Sequence, residues 1–310
     1  MACLDHASKE RLATFCTNEN IKVLWQEPMK EHTSFKIGGP AAAMAVPKDC
    51  EQLAKLMRFA AEQKVPVWYL GNGSNLLISD EGLDGLVILL DGAFDGEITV
   101  EDKMLVAPAG KKLSAVCAAA CAASLTGLEF AFGIPGSVGG AVYMNAGAYG
   151  GEMKDRLLWA EYLDLQGNLH HVPAEKLELS YRHSCFMLPE YAGACIVRAA
   201  FLLEQGDKQE IQRQMDDIFS RRKEKQPLEY PSAGSTFKRP QGAYAAQLID
   251  ECGLRGFTVG GAQVSEKHAG FVINTGNATC EDVLELTRQV SEKVKKEKGY
   301  ELQLEVRLLP

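Results

Sequence analysis

Gly133-Ile134-Pro135-Gly136-Ser137-Val138-Gly139-Gly140 packs four glycines into eight residues. An ordinary turn needs far fewer. Repeated glycines mean a backbone pressed against something that leaves no room for a Cβ. The glycine-rich run continues through Asn145-Ala146-Gly147 to Gly150-Gly151. A structural crossover is one reading. A phosphate or planar ring lying on bare main chain is the other, and it accounts for the density better.

A second glycine loop lies upstream. Val65 to Leu70 reads as a strand and runs straight into Gly71-Asn72-Gly73-Ser74-Asn75. Successive N–H groups in such a turn form a concave nest for phosphate oxygens. Ser74 and Asn75 add side-chain donors. A hairpin turn is the plainer reading of this pentapeptide taken alone. The dinucleotide fingerprint G-x-G-x-x-G needs a third glycine where Leu76 stands, and a helix where an apolar strand follows. A P-loop fails as well, since the chain has no G-K-[ST]. Two loops of this kind suggest a large dinucleotide bound in an extended pose.

Around the loops the chain alternates. Asp49 is placed to cap a helix over 51–63, with apolar residues at 53, 56, 57, 59 and 60. Strands are expected at 76–78 and 86–90, a hairpin over 96–107, a helix over 112–124, and strands and turns over 158–203. Asp207 can cap a charged helix that Pro227 stops. Then come a glycine and serine loop at 231–242, a helix over 243–252, strand-like segments near 258–275 and a helix over 281–298. The final stretch, 301–309, alternates. Leu302, Leu304, Val306 and Leu308 share one face, so Glu301, Gln303, Glu305 and Arg307 fall on the solvated one. The expected division is 1–92, an α/β subdomain; 93–205, a β-rich subdomain; 206–300, an α/β substrate domain; and 301–310, a C-terminal strand carrying Glu305.

Composition excludes more than it asserts. With 310 residues and 46% hydrophobic content, the chain is globular and long enough for two or three domains. Net charge is −8, so no global basic field for nucleic acid exists. No apolar run approaches membrane-spanning length, and the polar N-terminus lacks the core of a signal peptide. The nine cysteines are scattered, with no C-x-x-C, which fits a reduced, cytoplasmic protein. Cys117 and Cys121 stand one helical turn apart, but no further ligand follows at metal spacing, so no metal is expected.

Three polar segments stand out. Leu179-Ser180-Tyr181-Arg182-His183-Ser184 sets an arginine, the residue suited to a planar carboxylate or phosphate, among aromatic and hydroxyl groups. Pro231-Ser232-Ala233-Gly234-Ser235-Thr236-Phe237-Lys238-Arg239-Pro240 packs hydroxyls and two cations between prolines. It can hold phosphates and present a hydroxyl as a proton donor, but it lacks the G-x-S-x-G elbow of a nucleophile. Glu305 is the third. A surface arginine, a polar loop and a solvated strand face are the respective plain readings.

Taken in order, these segments resemble one family. Gly38-Gly39, Leu70 to Asn75, Gly133 to Gly140 with Asn145 to Gly150, Tyr181 to Ser184, Tyr230 to Phe237 and Glu305-Val306 are similar to the UDP-N-acetylenolpyruvoylglucosamine reductases, flavoenzymes of peptidoglycan precursor synthesis. The resemblance runs from about residue 30 to the C-terminus. It implies an α+β or α/β architecture: a two-part FAD-binding fold of the vanillyl-alcohol oxidase type, and a C-terminal α/β substrate domain. It implies FAD held without a covalent bond, NADPH as reductant, and the enolpyruvyl ether of UDP-N-acetylglucosamine as substrate, reduced to UDP-N-acetylmuramate.

By position, the resemblance makes Ser235 the proton donor and puts Arg182 and Glu305 beside the substrate carboxylate. It gives Gly71, Asn72, Gly73, Ser74, Asn75, Gly133, Gly136, Ser137, Gly139, Gly140, Asn145 and Gly147 to the FAD site. Tyr181, Lys238 and Arg239 become candidates for the substrate or its phosphates. The covering tyrosine loop of some members has no room here, so the chain resembles the shorter class and the residues clamping the UDP group stay open. A monomer without nucleic-acid or membrane partners is expected. Two other readings remain: a flavin oxidase of the same fold, which often binds FAD covalently, and a non-enzymatic nucleotide-binding module.

Overall fold

The computed structural model describes residues 4–310. The chain gathers into two compact units, each made of separate segments. The first comprises the chain up to Trp25, Ala43–Asn72 and Asp84–Ser220; the second comprises Gln26–Ala42, Gly73–Leu83 and Arg221–Pro310.

The first unit holds two main sheets. One, whose residues fall mainly in this unit, has the strand order Lys22–Pro28, Pro40–Val46, Leu83–Leu89, Val67–Leu70, the last two running parallel. The helix Cys50–Glu62 connects two of its strands. Asp49 starts that helix by accepting from the Gln52 N–H at 2.8 Å, and Leu53, Leu56, Met57 and Ala60 form its buried face. This is the cap and the period that the sequence predicts. The other sheet is antiparallel, ordered Leu169–Pro173, Leu157–Leu163, Cys195–Leu202, Met104–Pro108, Thr99–Glu101. Its central strand, Cys195–Leu202, is buried except at Arg198 and Leu202, as a strand covered on both faces must be. The last two strands are the hairpin expected over 96–107.

The helices Leu113–Ala122 and Lys208–Lys225 complete this part of the chain. Cys117 and Cys121 are both buried, and burial pushes the Cys117 thiol up to about 12. Asp207 caps the second helix through the Glu210 N–H at 2.9 Å. That helix buries Ile211, Met215 and Ile218, all within the first unit, which ends at Ser220.

The second unit is built on a four-stranded antiparallel sheet, ordered Ser232–Ser235, Phe271–Asn274, Ala262–Val264, Thr258–Val259. The helices Ala245–Glu251 and Cys280–Lys298 pack on it through Leu248, Ile249, Val283, Leu286 and Val290. Thr279 and Asp282 form a reciprocal capping box at the start of the long helix, and Gly299 ends it in the left-handed conformation.

Two segments depart from the sequence reading. The loop expected at 231–242 begins as an edge strand, Ser232–Ser235. The strand expected over 301–309 is one only at Arg307–Leu309, where it pairs in parallel with Leu76–Ile78. Just before that, Lys238 N–H donates to Gln303 O and Glu305 N–H to Thr236 O, both at 2.8 Å. The chain thus changes partner between Glu305 and Arg307. One alternating pattern covers two short pairings, and no single face persists. Glu305 and Val306 are both buried, whereas Leu308 is exposed.

Candidate active site

The two glycine loops meet within the first unit. The Asn72 side-chain amide donates to Pro135 O at 2.8 Å. A Cβ on Gly71 would stand 2.1 Å from Ser137 Oγ, so only glycine fits there. Buried Ser137 caps the short helix Val138–Tyr143 by accepting from the Gly140 N–H at 3.4 Å. Val138 and Gly139 N–H groups donate to Lys111 O and Ala109 O, and Gly136 O accepts from Leu113 N–H. Several of the glycines are therefore spent on close main-chain packing. What remains is a strip of main chain at Gly133, Gly136 and Gly140, none of them buried and none carrying a Cβ. That strip suits a long cofactor lying flat, and the residues present fit FAD.

Asn145 and Gly147 play a different part. Asn145 is fully buried, and its side chain donates to Glu152 Oε2 and Ser180 O and accepts from Lys154 N–H, each at 2.9 Å. All three bonds go to protein, so Asn145 braces the Arg182 turn. In that turn Ser180 and His183 exchange main-chain bonds, and Arg182 is left-handed, with φ of 54°. Its guanidinium lies 5.2 Å from the Tyr181 ring centre and 3.5 Å from Gly147 O. Ser184, fully buried, donates to Tyr143 O at 2.7 Å. Sequence reasoning passes over Glu152. Lys154 first, and Arg182 among other partners, hold its carboxyl below the usual carboxylate range, so a second anion shares the arginine's surroundings. An acidic residue two positions from a lysine carries no signal by itself.

In the second unit, the Glu305 main chain meets the residue after Ser235. Ser235 is exposed at the end of its edge strand. Ser232 pairs with Ile273 but Ser235 with Phe271, which leaves a bulge. Gly234 makes the bulge, with φ of 79° and open space where a Cβ would be. Such bulges re-aim the neighbouring side chain. Thr236 is buried. Its hydroxyl accepts from Val272 N–H at 2.9 Å, its own N–H donates to Gly270 O, and its carbonyl accepts from Glu305 N–H. The residue after Ser235 is thus the one that seats Glu305.

Lys238 and Arg239 follow, both exposed, with the Arg239 guanidinium 4.6 Å from the ring centre of Tyr244. Nearby, the His268 Nδ1 accepts from Gly270 N–H at 3.2 Å, and burial holds the ring's pKa below its usual value. A cavity of about 640 Å³ opens past Ser232, at the other end of the strand, beside Lys30, Lys36, Asn274 and Asn277.

The C-terminal domain profile of UDP-N-acetylenolpyruvoylglucosamine reductase matches residues 226–309, and that of an FAD-binding domain matches residues 41–173. A reductase of that name from Caldanaerobacter subterraneus subsp. tengcongensis is 48% identical over 93% of this chain and 94% of its own length. The chain belongs to the UDP-N-acetylenolpyruvoylglucosamine reductase family. A second relative with that name, from Agathobacter rectalis, is 50% identical over 93% of this chain and 94% of its own length. Among solved structures, UDP-N-acetylenolpyruvylglucosamine reductase from Thermus caldophilus superposes with a TM-score of 0.77 at 38% identity, covering 94% of this chain and 99% of that one.

The chain is therefore an FAD-dependent oxidoreductase with an FAD-binding domain and a C-terminal reductase domain. Among the described residues, no helix is long and apolar enough to cross a membrane.

Proposed function

We propose that the chain reduces the enolpyruvyl ether of UDP-N-acetylglucosamine with NADPH, giving UDP-N-acetylmuramate in the cytoplasm as a monomer. Hydride and proton add across one carbon–carbon double bond. FAD, when bound, would supply the two-electron chemistry by which the terminal vinyl carbon gains hydride at the expense of NADPH.

The protein's residues handle what remains. As hydride arrives, negative charge builds on the adjacent carbon and its carboxylate. Arg182 offers that carboxylate a planar, permanently charged fork. Ser235 gives its hydroxyl proton to the adjacent carbon. A serine hydroxyl is a weak acid, so it serves only a strongly basic carbon at short range. Glu305, buried one main-chain hydrogen bond from the residue after Ser235, shares the carboxylate's charge by donating a hydrogen bond to it when its own carboxyl carries a proton. Lys238, Arg239 and Tyr181 are exposed and meet the phosphates and sugar. Residues 1–92 and 93–205 act as the FAD-binding parts, 206–300 as the substrate domain, and 301–310 carries Glu305.

The observation that supports this reading is the hydrogen bond from Glu305 N–H to Thr236 O, which ties the Glu305 main chain to the residue after Ser235. Anaerobic spectroscopy of the purified yellow protein tests it. NADPH should bleach the flavin, and the enolpyruvyl nucleotide should restore the colour in stoichiometric amount. Colour that returns only with oxygen would favour a flavin oxidase.

A further inference from the structure

Asn75 belongs by sequence to the glycine loop, yet its side chain is committed elsewhere. Its Nδ2 donates to Glu305 O at 3.2 Å, and its own carbonyl accepts from Arg307 N–H at 3.0 Å. On the other side of the same residue, Glu305 N–H donates to Thr236 O at 2.8 Å. Both polar groups of the Glu305 main chain are thus held, one by the strand of Ser235 and one by Asn75. Fixing both ends of a residue's main chain fixes the direction in which its side chain leaves. The need for such a brace follows from the local fold, because Glu305 stands where the chain leaves one pairing partner for the next.

The loop is anchored to Ser235's strand as well. Ser34 N–H donates to Gly73 O at 3.1 Å, and Ser34 Oγ donates to Ser232 O at 2.7 Å.

We propose that Asn75 is a positioning residue for Glu305: its side-chain amide aims the carboxylate used in the second half-reaction. The inference rests on the role given to Glu305 above. Asn75→Asp keeps the size and the main-chain bond to Arg307 but removes the donor; Asn75→Ala removes the side chain.

Two readouts on the holoenzyme test the inference. Hydrogen exchange reports the brace without reference to activity. Both variants should exchange faster across 302–310, while the helix Cys280–Lys298 keeps its protection. Anaerobic stopped-flow reports the consequence. Flavin content and the rate of reduction by NADPH are measured alongside as the reference for each variant. Reoxidation by the enolpyruvyl nucleotide should slow by about fivefold, the size of one lost hydrogen bond. In a Glu305→Gln background, Asn75→Asp should add little further loss.

Unchanged exchange over 302–310, or equal slowing of both half-reactions, overturns the inference. So does full multiplication of the two substitutions' effects. If wild-type flavin is not reoxidised by that nucleotide at all, the proposed function falls, and the exchange result still decides the brace.

Discussion

Ser235, the proposed proton donor, is exposed, while its neighbour Thr236 is buried and uses its hydroxyl, N–H and carbonyl on structure. The division is chemically sensible. A donor must be free to reach a substrate, and the residue beside it must not move. His268, in the turn that leads to Ser235's partner strand, adds a pH dependence. Burial disfavours the charged form of its ring, and Nδ1 accepts from Gly270 N–H. The folded-state pKa is therefore below the ordinary 6.5. Below that pH the unfolded chain takes up the proton more readily than the folded one, so stability falls as pH drops. His268→Asn keeps an acceptor for Gly270 N–H and cannot titrate. Melting temperatures followed from neutral pH downward should show a shallower decline in this variant than in the wild type.

At the scale of elements, the Ser232–Ser235 strand depends on its bulge. Gly234→Ala meets no atom within 4 Å but must hold φ of 79°, which costs about 1–2 kcal/mol. If the bulge relaxes to avoid that strain, Ser235 turns. Gly242 is a matched control, also left-handed and also in open space. Gly234→Ala and Gly242→Ala should lower the melting temperature alike, whereas only Gly234→Ala should slow flavin reoxidation.

The same elements show what the sequence discloses. The helix Cys50–Glu62 is legible because a cap and a 3.6-residue period coincide. Glu305 is misread because alternation assumes one partner, and here the partner changes mid-segment. The glycines of 133–140 are legible as a region, but not singly. Some serve close packing against Ala109 and Ser137, a tertiary fact with no local signature. Asn145 braces the Arg182 turn with its side chain, a use that sequence does not distinguish from contact with a ligand.

At the scale of the whole molecule, an acidic chain is read as binding polyanions. With a net charge of −8, the overall field does not attract such ligands, and main-chain N–H groups with a few local cations are the proposed source, Arg182, Lys238 and Arg239 among them. FAD then contributes to folding stability by mass action. Free FAD at ~100 times its dissociation constant should add about 2.7 kcal/mol to the unfolding free energy. Removing the cofactor should lower the melting temperature, and adding it back should restore the loss in a concentration-dependent way. A melting temperature indifferent to FAD would mean that the bare main-chain strip is not its site.

Ser235 is proposed to supply the proton. Anaerobic stopped-flow on Ser235→Ala measures it directly. The account predicts unchanged bleaching by NADPH and reoxidation by the enolpyruvyl nucleotide slowed by about 10² to 10⁴, the range for loss of a general acid. Equal losses in both half-reactions, or near-normal reoxidation, would contradict it.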